Sequence, residues 1–338
     1  MTHRFPIKEI ALQAGLSTAT VDRVINNRAH VSPQTRKRVA GALAELEGQE
    51  SQLAARGRRI FVDFVIEAPA RFSLEVQKAA QDVAPGISSA VCRPRFVMQE
   101  IMSEEDMVAS LARIAKRGSQ GVCLKARDLP SIRKAIDKLS DVGIPVVTLV
   151  TDVPETRRVA YAGLDNQSAG QTAAYLLKQT LGDDAGVIMA TKSQDSFLGE
   201  EERATAFRAT LAKACPNLLI IEANGGSGVP SETARAVQAR LDDLGALVAV
   251  YSMGGGNQAI LDVLAEHRLT PHIFIAHDLD RENRHLLQTG RIDFVLHHDL
   301  QADVQNAYQA ILKHHRLVPE FDLGQATSVQ IITPMNMG

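Results

Sequence analysis

Apolar residues in the first fifty positions recur three and four apart, the spacing of amphipathic helices. Ile7, Ile10, Ala11 and Ala14 fall on one face behind Pro6, which suits a first helical turn, and Gly15 ends the run. Ser17 stands where a second helix, Thr18 to Ile25, needs a cap, and that helix turns Val21, Val24 and Ile25 inward. Ser32 caps a third with Pro33 in its first turn, and Thr35 to Leu46 carries Val39, Ala42, Leu43 and Leu46 toward the same core. Three short helices with a glycine turn between the first two predict a helix-turn-helix head over residues 1–47.

From Ile60 the period changes. Strands are predicted at Ile60 to Ile66, Phe96 to Met102, Gly121 to Lys125 and Pro145 to Val150, separated by helices at Leu74 to Val83, Glu104 to Lys116 and Leu129 to Val142. A second series follows at Tyr161 to Leu164, Gly186 to Ala190, Leu218 to Glu222, Leu247 to Ser252, Ile273 to Ala276 and Phe294 to His297. Apolar runs such as VIMA and LVAVY alternating with helices mean parallel sheets. The predicted fold class is therefore α/β: an all-α head, a linker at 48–59, and a two-lobed, doubly wound parallel-sheet domain at 60–334. Ligands of such sheets lie outside the carboxyl ends of the strands, so a small molecule is expected between the lobes.

Charge sharpens this division. The 338 residues carry 37 Lys and Arg against 39 Asp and Glu, and a net charge of −2 taken whole argues against nucleic acid. Residues 1–59, however, hold ten basic and five acidic groups, +5, leaving 27 against 34, −7, for the remainder. A basic head on an acidic body fits a chain in which one part meets a polyanion and the other does something else. The N-terminus has no secretion-type apolar core and no run approaches the roughly 18 apolar residues of a membrane span. Three cysteines without CxxC spacing complete the expectation of a reduced, cytoplasmic protein with no membrane partner. Cys123 and Cys215 read as core residues, and Cys92, near Arg93 and Arg95, as the more reactive thiol.

A helix-turn-helix offers the start of its second helix to the major groove. Here that places Thr18, Ala19 and Arg23 against base edges, Arg23 suited to guanine and Ala19 to a thymine methyl. Ser17, Thr20, Asn26, Ser32 and Thr35 are short polar groups at helix ends, suited to phosphate oxygens. A plain three-helix cap with solvated basic residues would share the generic pattern.

The run IKEIALQAGLSTATVDRVINNRAHVSPQTRKRV is more specific. Its AGxS, TVxRVxN and VSxxTRxxV elements, in that order and spacing, resemble the DNA-binding head of the lactose-repressor family. That resemblance implies a regulator pairing two chains on a palindromic double-stranded operator, more often as a repressor, and a homodimer or dimer of dimers. Asp22 stands where the family usually has Ser, either orienting Arg23 or placing a charge favourable near a helix N-terminus. The family's Tyr-x-Pro-Asn hinge is missing. Leu53 is the one large apolar residue in LEGQESQLAARGRRI, a substitute minor-groove wedge or a dimer contact, and Arg56 follows phosphates or is simply solvated.

In the body, YAGLDNQSAGQTAAYLL, EERATAFRATL and IAHDLDRENRHLLQTGRIDFVLHHDL resemble the same family's sensor domain, whose fold is that of periplasmic sugar-binding proteins. The implied effector is a sugar or polyol. Strand ends supply polar candidates for it in Asp152, Asp195, Arg203, Asn257, Asp278 and His298, with Phe72 for a ring face. The resemblance singles out Phe72, Arg203 and Asp278. Each has a plain alternative: core packing for Phe72, an ion pair with Glu200 or Glu202 for Arg203, and helix capping for Asp278.

Other chemistries fare worse. His297-His298-Asp299 and His277-x-Asp lack a third spaced ligand, so no metal is expected. Gly254-Gly255-Gly256-Asn257 could cradle an anion at a helix start, but it has neither the G-x-G-x-x-G order nor the P-loop Lys-Ser/Thr, so no nucleotide cofactor is expected. No G-x-S-x-G elbow or acid/base pair supports catalysis, and no catalytic residue is assigned. The rival class, a solute-binding protein or sugar-converting enzyme on the same lobes, would gain nothing from residues 1–59.

Overall fold

The computed structural model describes residues 4–29, 31–55, 58–193, 196–319 and 326–337, without the side chains of 49–55. The head folds as its periodicity requires, with α1 at Ile7–Ala14, α2 at Thr18–Ile25 and α3 opening at Pro33. Gly15 ends α1 in the left-handed conformation, φ +60°, and Arg38 Nη2 donates to the Ala14 carbonyl at 2.8 Å, occupying one of its orphan acceptors. Ile10, Val21 and Val39 meet in the head's own apolar core. One difference concerns the linker. Helix α3 does not stop near Leu46 but runs to Ala55, so much of the expected linker is helical.

The body has two sheets. In the first, strands β1 (Arg59–Glu67), β2 (Val91–Gln99), β3 (Gly121–Lys125), β4 (Val146–Leu149) and β5 (Ala160–Ala162) lie parallel in the order β2-β1-β3-β4-β5. The second holds β6 (Gly186–Thr191), β7 (Leu218–Glu222), β8 (Leu247–Ser252), β9 (Ile273–His277), β10 (Phe294–His297) and β11 (Gln330–Ile332), in the order β11-β10-β9-β8-β6-β7. All its pairs are parallel except β10 with β11, a three-residue strand that the sequence pattern does not reveal. Helices α4 (Ala70–Val83), α5 (Glu104–Arg117) and α6 (Pro130–Asp141) cover the first sheet. Helices α7 (Asn166–Leu181), α8 (Leu198–Ala214), α9 (Pro230–Gln238), α10 (Asn257–Glu266) and α11 (Arg281–Gln288) cover the second.

The lobes are not successive, as two strand series had suggested. After β10 the chain returns to the first lobe as α12 (Leu300–His314), burying Val304, Ala307, Tyr308 and Ile311 against β1 and α4, and then crosses back to β11. Three crossings therefore join the lobes. They are tied together at Thr327, whose N–H donates to Gly163 O at 2.8 Å and whose carbonyl accepts from Asp165 N–H at 3.1 Å.

Cys92 is buried, and burial pushes its thiol up to about 11, so the neighbouring arginines do not make it reactive. Among the described residues, no helix is long and apolar enough to cross a membrane. Because α12 belongs to the first lobe's core, Ile311→Ala should lower that lobe's stability by about 2–5 kcal/mol, read as a fall in the urea midpoint. An unchanged midpoint would mean that α12 is only loosely docked.

Candidate ligand cleft and nucleic-acid interface

In the head, Ser17 Oγ accepts from Thr20 N–H at 3.2 Å and lies 2.8 Å from Thr20 Oγ1, capping α2, and Ser32 repeats this geometry with Thr35 at 3.1 and 2.8 Å. Thr18 and Ala19 are exposed in the first turn of α2 and Arg23 in its last, Asn26 and Ser32 are exposed beyond it, and Thr20 and Thr35 are half-buried. Asp22 does not orient Arg23. Its carboxylate accepts from Asn26 Nδ2 at 2.8 Å and pairs with Arg28 at 3.1 Å, leaving Arg23 free of the protein's own acids among the described residues. Asn26 is thereby committed to the end of α2 as well as exposed. The side chain of Leu53, and Arg56 altogether, lie outside the described residues.

In the body, a cleft opens between the lobes at the carboxyl ends of the strands. The first lobe contributes Glu67 and Lys125 from the last positions of β1 and β3, together with Phe72 and Thr151; the second contributes Phe197, Glu200, Arg203, His277 and Asp278. Val150 and Asp278 both have left-handed backbone, φ +68° and +66°. A β-branched residue there is strained, and such strain gathers where a site dictates the backbone.

Several bonds cross the cleft. Arg71, at the start of α4, pairs through Nε with Asp280 at 2.8 Å and donates from Nη1 to the Gly228 carbonyl at 2.8 Å. Gly199 N–H donates to Thr151 Oγ1 at 3.1 Å, and Lys125 Nζ sits 3.9 Å from the centre of the Phe197 ring. Burial raises Asp280 to about 6 despite the Asn283 N–H and Arg71. The glycine run is explained by packing rather than by an anion. A Cβ on Gly254 would collide with the Ser193 backbone, and one on Gly255, φ +81°, with the Arg71 guanidinium.

The structure brings Phe72, Arg203 and Asp278 into this one cleft. Phe72 is also part of the first lobe's core, so its two readings coexist. Arg203 is 3% exposed and donates from Nε to Asn166 Oδ1 at 2.7 Å; among the described residues it makes no ion pair with Glu200 or Glu202. Asp278 does not cap α11, because Asp280 does so through Asn283 N–H at 2.8 Å.

Three candidates, Asp152, Asn257 and His298, fall outside this lining. Asp152 stands apart from the cleft lining, held by Thr148 Oγ1 at 2.6 Å, Val153 N–H at 2.8 Å and Arg158 at 2.5 Å. Asn257 is buried behind the lining, donating to Asn283 Oδ1 at 2.6 Å. Asp195 lies outside the described residues. Lys125, Glu67 and Phe197 line the cleft without having been singled out in the sequence. The available signal was a Lys ending a buried parallel strand, where a charge has no reason to be unless something meets it.

His298 lies behind Asp278 and lines the adjoining cavity. It is 1% exposed and bonded through Nδ1 to Asp303, while its Nε2 stands 3.4 Å from Asp278 Oδ1. Asp303 also accepts from Thr327 Oγ1 at 2.9 Å. Burial opposes charge on His298, but the two carboxylates outweigh it and raise the imidazole from 6.5 to about 9. Asp278 is held below the usual carboxylate range, since His298, Arg203 and His277 overcome its own burial. No group of three or more metal-ligating side chains occurs among the described residues.

The family model of the periplasmic binding protein domain matches residues 72–315, and that of the bacterial regulatory proteins of the lacI family matches residues 6–47. The chain belongs to the lacI family of bacterial regulatory proteins and carries a periplasmic binding protein domain as its body. It is a ligand-regulated, DNA-binding transcription regulator. No curated protein matches it.

Among solved structures, a glucose-galactose binding protein from Geobacillus stearothermophilus is similar at 20% identity and TM-score 0.71, over 82% of this chain and 99% of that one. A solute-binding protein from Burkholderia graminis in complex with D-arabinose is similar at 20% identity and TM-score 0.73, over 83% and 97%. A candidate LacI transcriptional regulator from Bacteroides fragilis is similar at 16% identity and TM-score 0.72, over 83% and 98%. At these identities the likeness concerns the fold.

The raised His298 gives a pH test of the buried charge cluster. Its contribution is full below about 6.5, the unfolded value, and is lost as pH rises through about 9. Thermal melts of the wild type and His298→Gln should therefore differ most below pH 6.5 and converge above pH 9. A gap that is constant with pH would show that His298 is neutral in the folded chain.

Proposed function

We propose that the protein is a cytoplasmic transcriptional repressor that binds a palindromic operator as a homodimer or a dimer of dimers, and whose operator affinity is set by a sugar or polyol held between its lobes. The observation that carries this reading is the pairing, in one chain, of an exposed, capped reading helix with a cleft between the lobes lined by charged groups and aromatic rings. Thr18, Ala19 and Arg23 read bases, and the caps Ser17 and Ser32 set the helix ends against phosphates. A head of only +5 suffices because two linked heads raise each other's effective concentration. The saccharides named for the Geobacillus and Burkholderia neighbours support a polyhydroxylated effector of monosaccharide size.

Effector binding changes lobe closure and so the placement of the heads, a coupling of about 1–3 kcal/mol. The regulator architecture favours this role over an enzyme, and the head has no use in a solute-binding protein. The reading is tested by selecting duplexes from a random pool and measuring the selected palindrome by anisotropy. Arg23→Ala should lose about 1–3 kcal/mol of discrimination between that palindrome and a base-substituted one. Failure to enrich any palindrome would refute the operator reading, and equal weakening on all duplexes would reduce Arg23 to a phosphate contact.

A further inference from the structure

Taking the cleft as the effector site, we infer that the effector carries a carboxylate as well as hydroxyls: it is a sugar acid, with the acid group held by Lys125 and Arg203. The argument starts from which charges in the cleft are already answered by the protein. Glu67 pairs with Arg127 at 3.1 Å, Asp280 with Arg71 at 2.8 Å, and Asp278 faces the His298 imidazolium at 3.4 Å. Glu200 is bound by neutral groups, Ser193 N–H at 2.7 Å and Ser193 Oγ at 2.5 Å, and burial raises it although Lys125 and Arg203 act on it from beyond ion-pair distance.

The half-buried Lys125 and the buried Arg203 have no such ion pair. Lys125 Nζ donates to a neutral carbonyl, Glu67 O, at 2.9 Å, and otherwise rests on the Phe197 ring. Arg203 donates to a neutral amide oxygen. Among the described residues no carboxylate stands within ion-pair distance of either. Burial pulls Lys125 below its ordinary range, partly relieved by Glu200, Glu67 and Asp278, and Arg203 lies close enough to lower it further. A desolvated cation next to another one is costly unless an anion joins them.

The same cleft offers acceptors that lack donors. Glu67 Oε1 is buried without a hydrogen-bond partner, as is His277 Nδ1, while the His277 Nε2 meets Tyr251 Oη at 2.8 Å. Hydroxyl groups supply what these atoms lack, and a carboxylate supplies what Lys125 and Arg203 lack. A neutral sugar would answer only the first set. A phosphate, with a charge near −2, would meet the surrounding carboxylates, and the glycine run that might have cradled it is filled by Arg71 and the Ser193 backbone.

The test is a thermal-shift and calorimetric comparison on the full chain, with D-glucuronate, D-galacturonate and D-gluconate against D-glucose, D-galactose and D-glucitol, and with glucose 6-phosphate. At least one acid should bind at least tenfold tighter than its neutral counterpart. Lys125→Met should erase that preference, while Lys125→Arg retains it. Tighter binding of the neutral compounds or the phosphate, no binding by any acid, or an acid preference unchanged in Lys125→Met would each overturn the inference. Two of these outcomes separate it from the reading beneath it. Neutral sugars bound equally by wild type and Lys125→Met but lost in Asp278→Asn would leave the cleft as effector site. Binding insensitive to Lys125→Met, Arg203→Lys and Asp278→Asn alike would remove it.

Discussion

The body hangs on a buried line of charge, Asp278, His298, Asp303 and Thr327, at the place where the chain passes between lobes. Asp278 follows β9 in the second lobe, His298 starts the crossing out of β10, Asp303 sits in α12 within the first lobe, and Thr327 lies on the return to β11. Breaking this line on one side would leave a carboxylate fully buried and unpaired, which costs more than the intact arrangement contributes. The crossings are therefore fixed relative to one another. One end of the line, Asp278, is also a wall of the cleft, so whatever binds there acts directly on the hinge.

Closure on the opposite side depends on Arg71. Its guanidinium occupies space that only glycine at 255 leaves, and reaches an aspartate and a carbonyl of the other lobe. The glycine run and Arg71 are thus two halves of one contact, separated by more than 180 residues in sequence. Close packing against Arg71 and the Ser193 backbone explains why Gly255 and Gly254 carry no side chain. The cleft is consequently bounded by a rigid hinge behind Asp278 and a polar latch in front, and the cations between them are the least satisfied groups in it.

Much of this was legible in the sequence, for physical reasons. α1, α2 and the parallel strands are set by local periodicity and caps, such as Ser17 before Thr18 and Gly15 after Ala14. What escapes is what depends on distant partners. α12 has an ordinary amphipathic pattern, and nothing in it states that its apolar face belongs to the first lobe. Asp152 stands at a strand end, where ligands gather, but Arg158 and Thr148 reach it first. Lys125 becomes a site residue only because folding brings Phe197 from the other lobe beneath it. The Asp22 carboxylate likewise had two local readings, and the choice was made by Arg28 and Asn26.

The link from cleft to head follows from where β1 lies. α3 ends at Ala55 and β1 begins at Arg59, so only residues 56–58 separate the head's last helix from the first lobe. β1 is nine residues long, about 30 Å at the usual rise, and is bonded on both sides by β2 and β3. A strand so placed transmits displacement without bending. Its far end is Glu67, in the cleft wall and held by Arg127. A rotation of the first lobe about the crossings therefore moves Glu67 and Arg59 as one body. The −7 body and the +5 head are joined in sequence at the start of this strand.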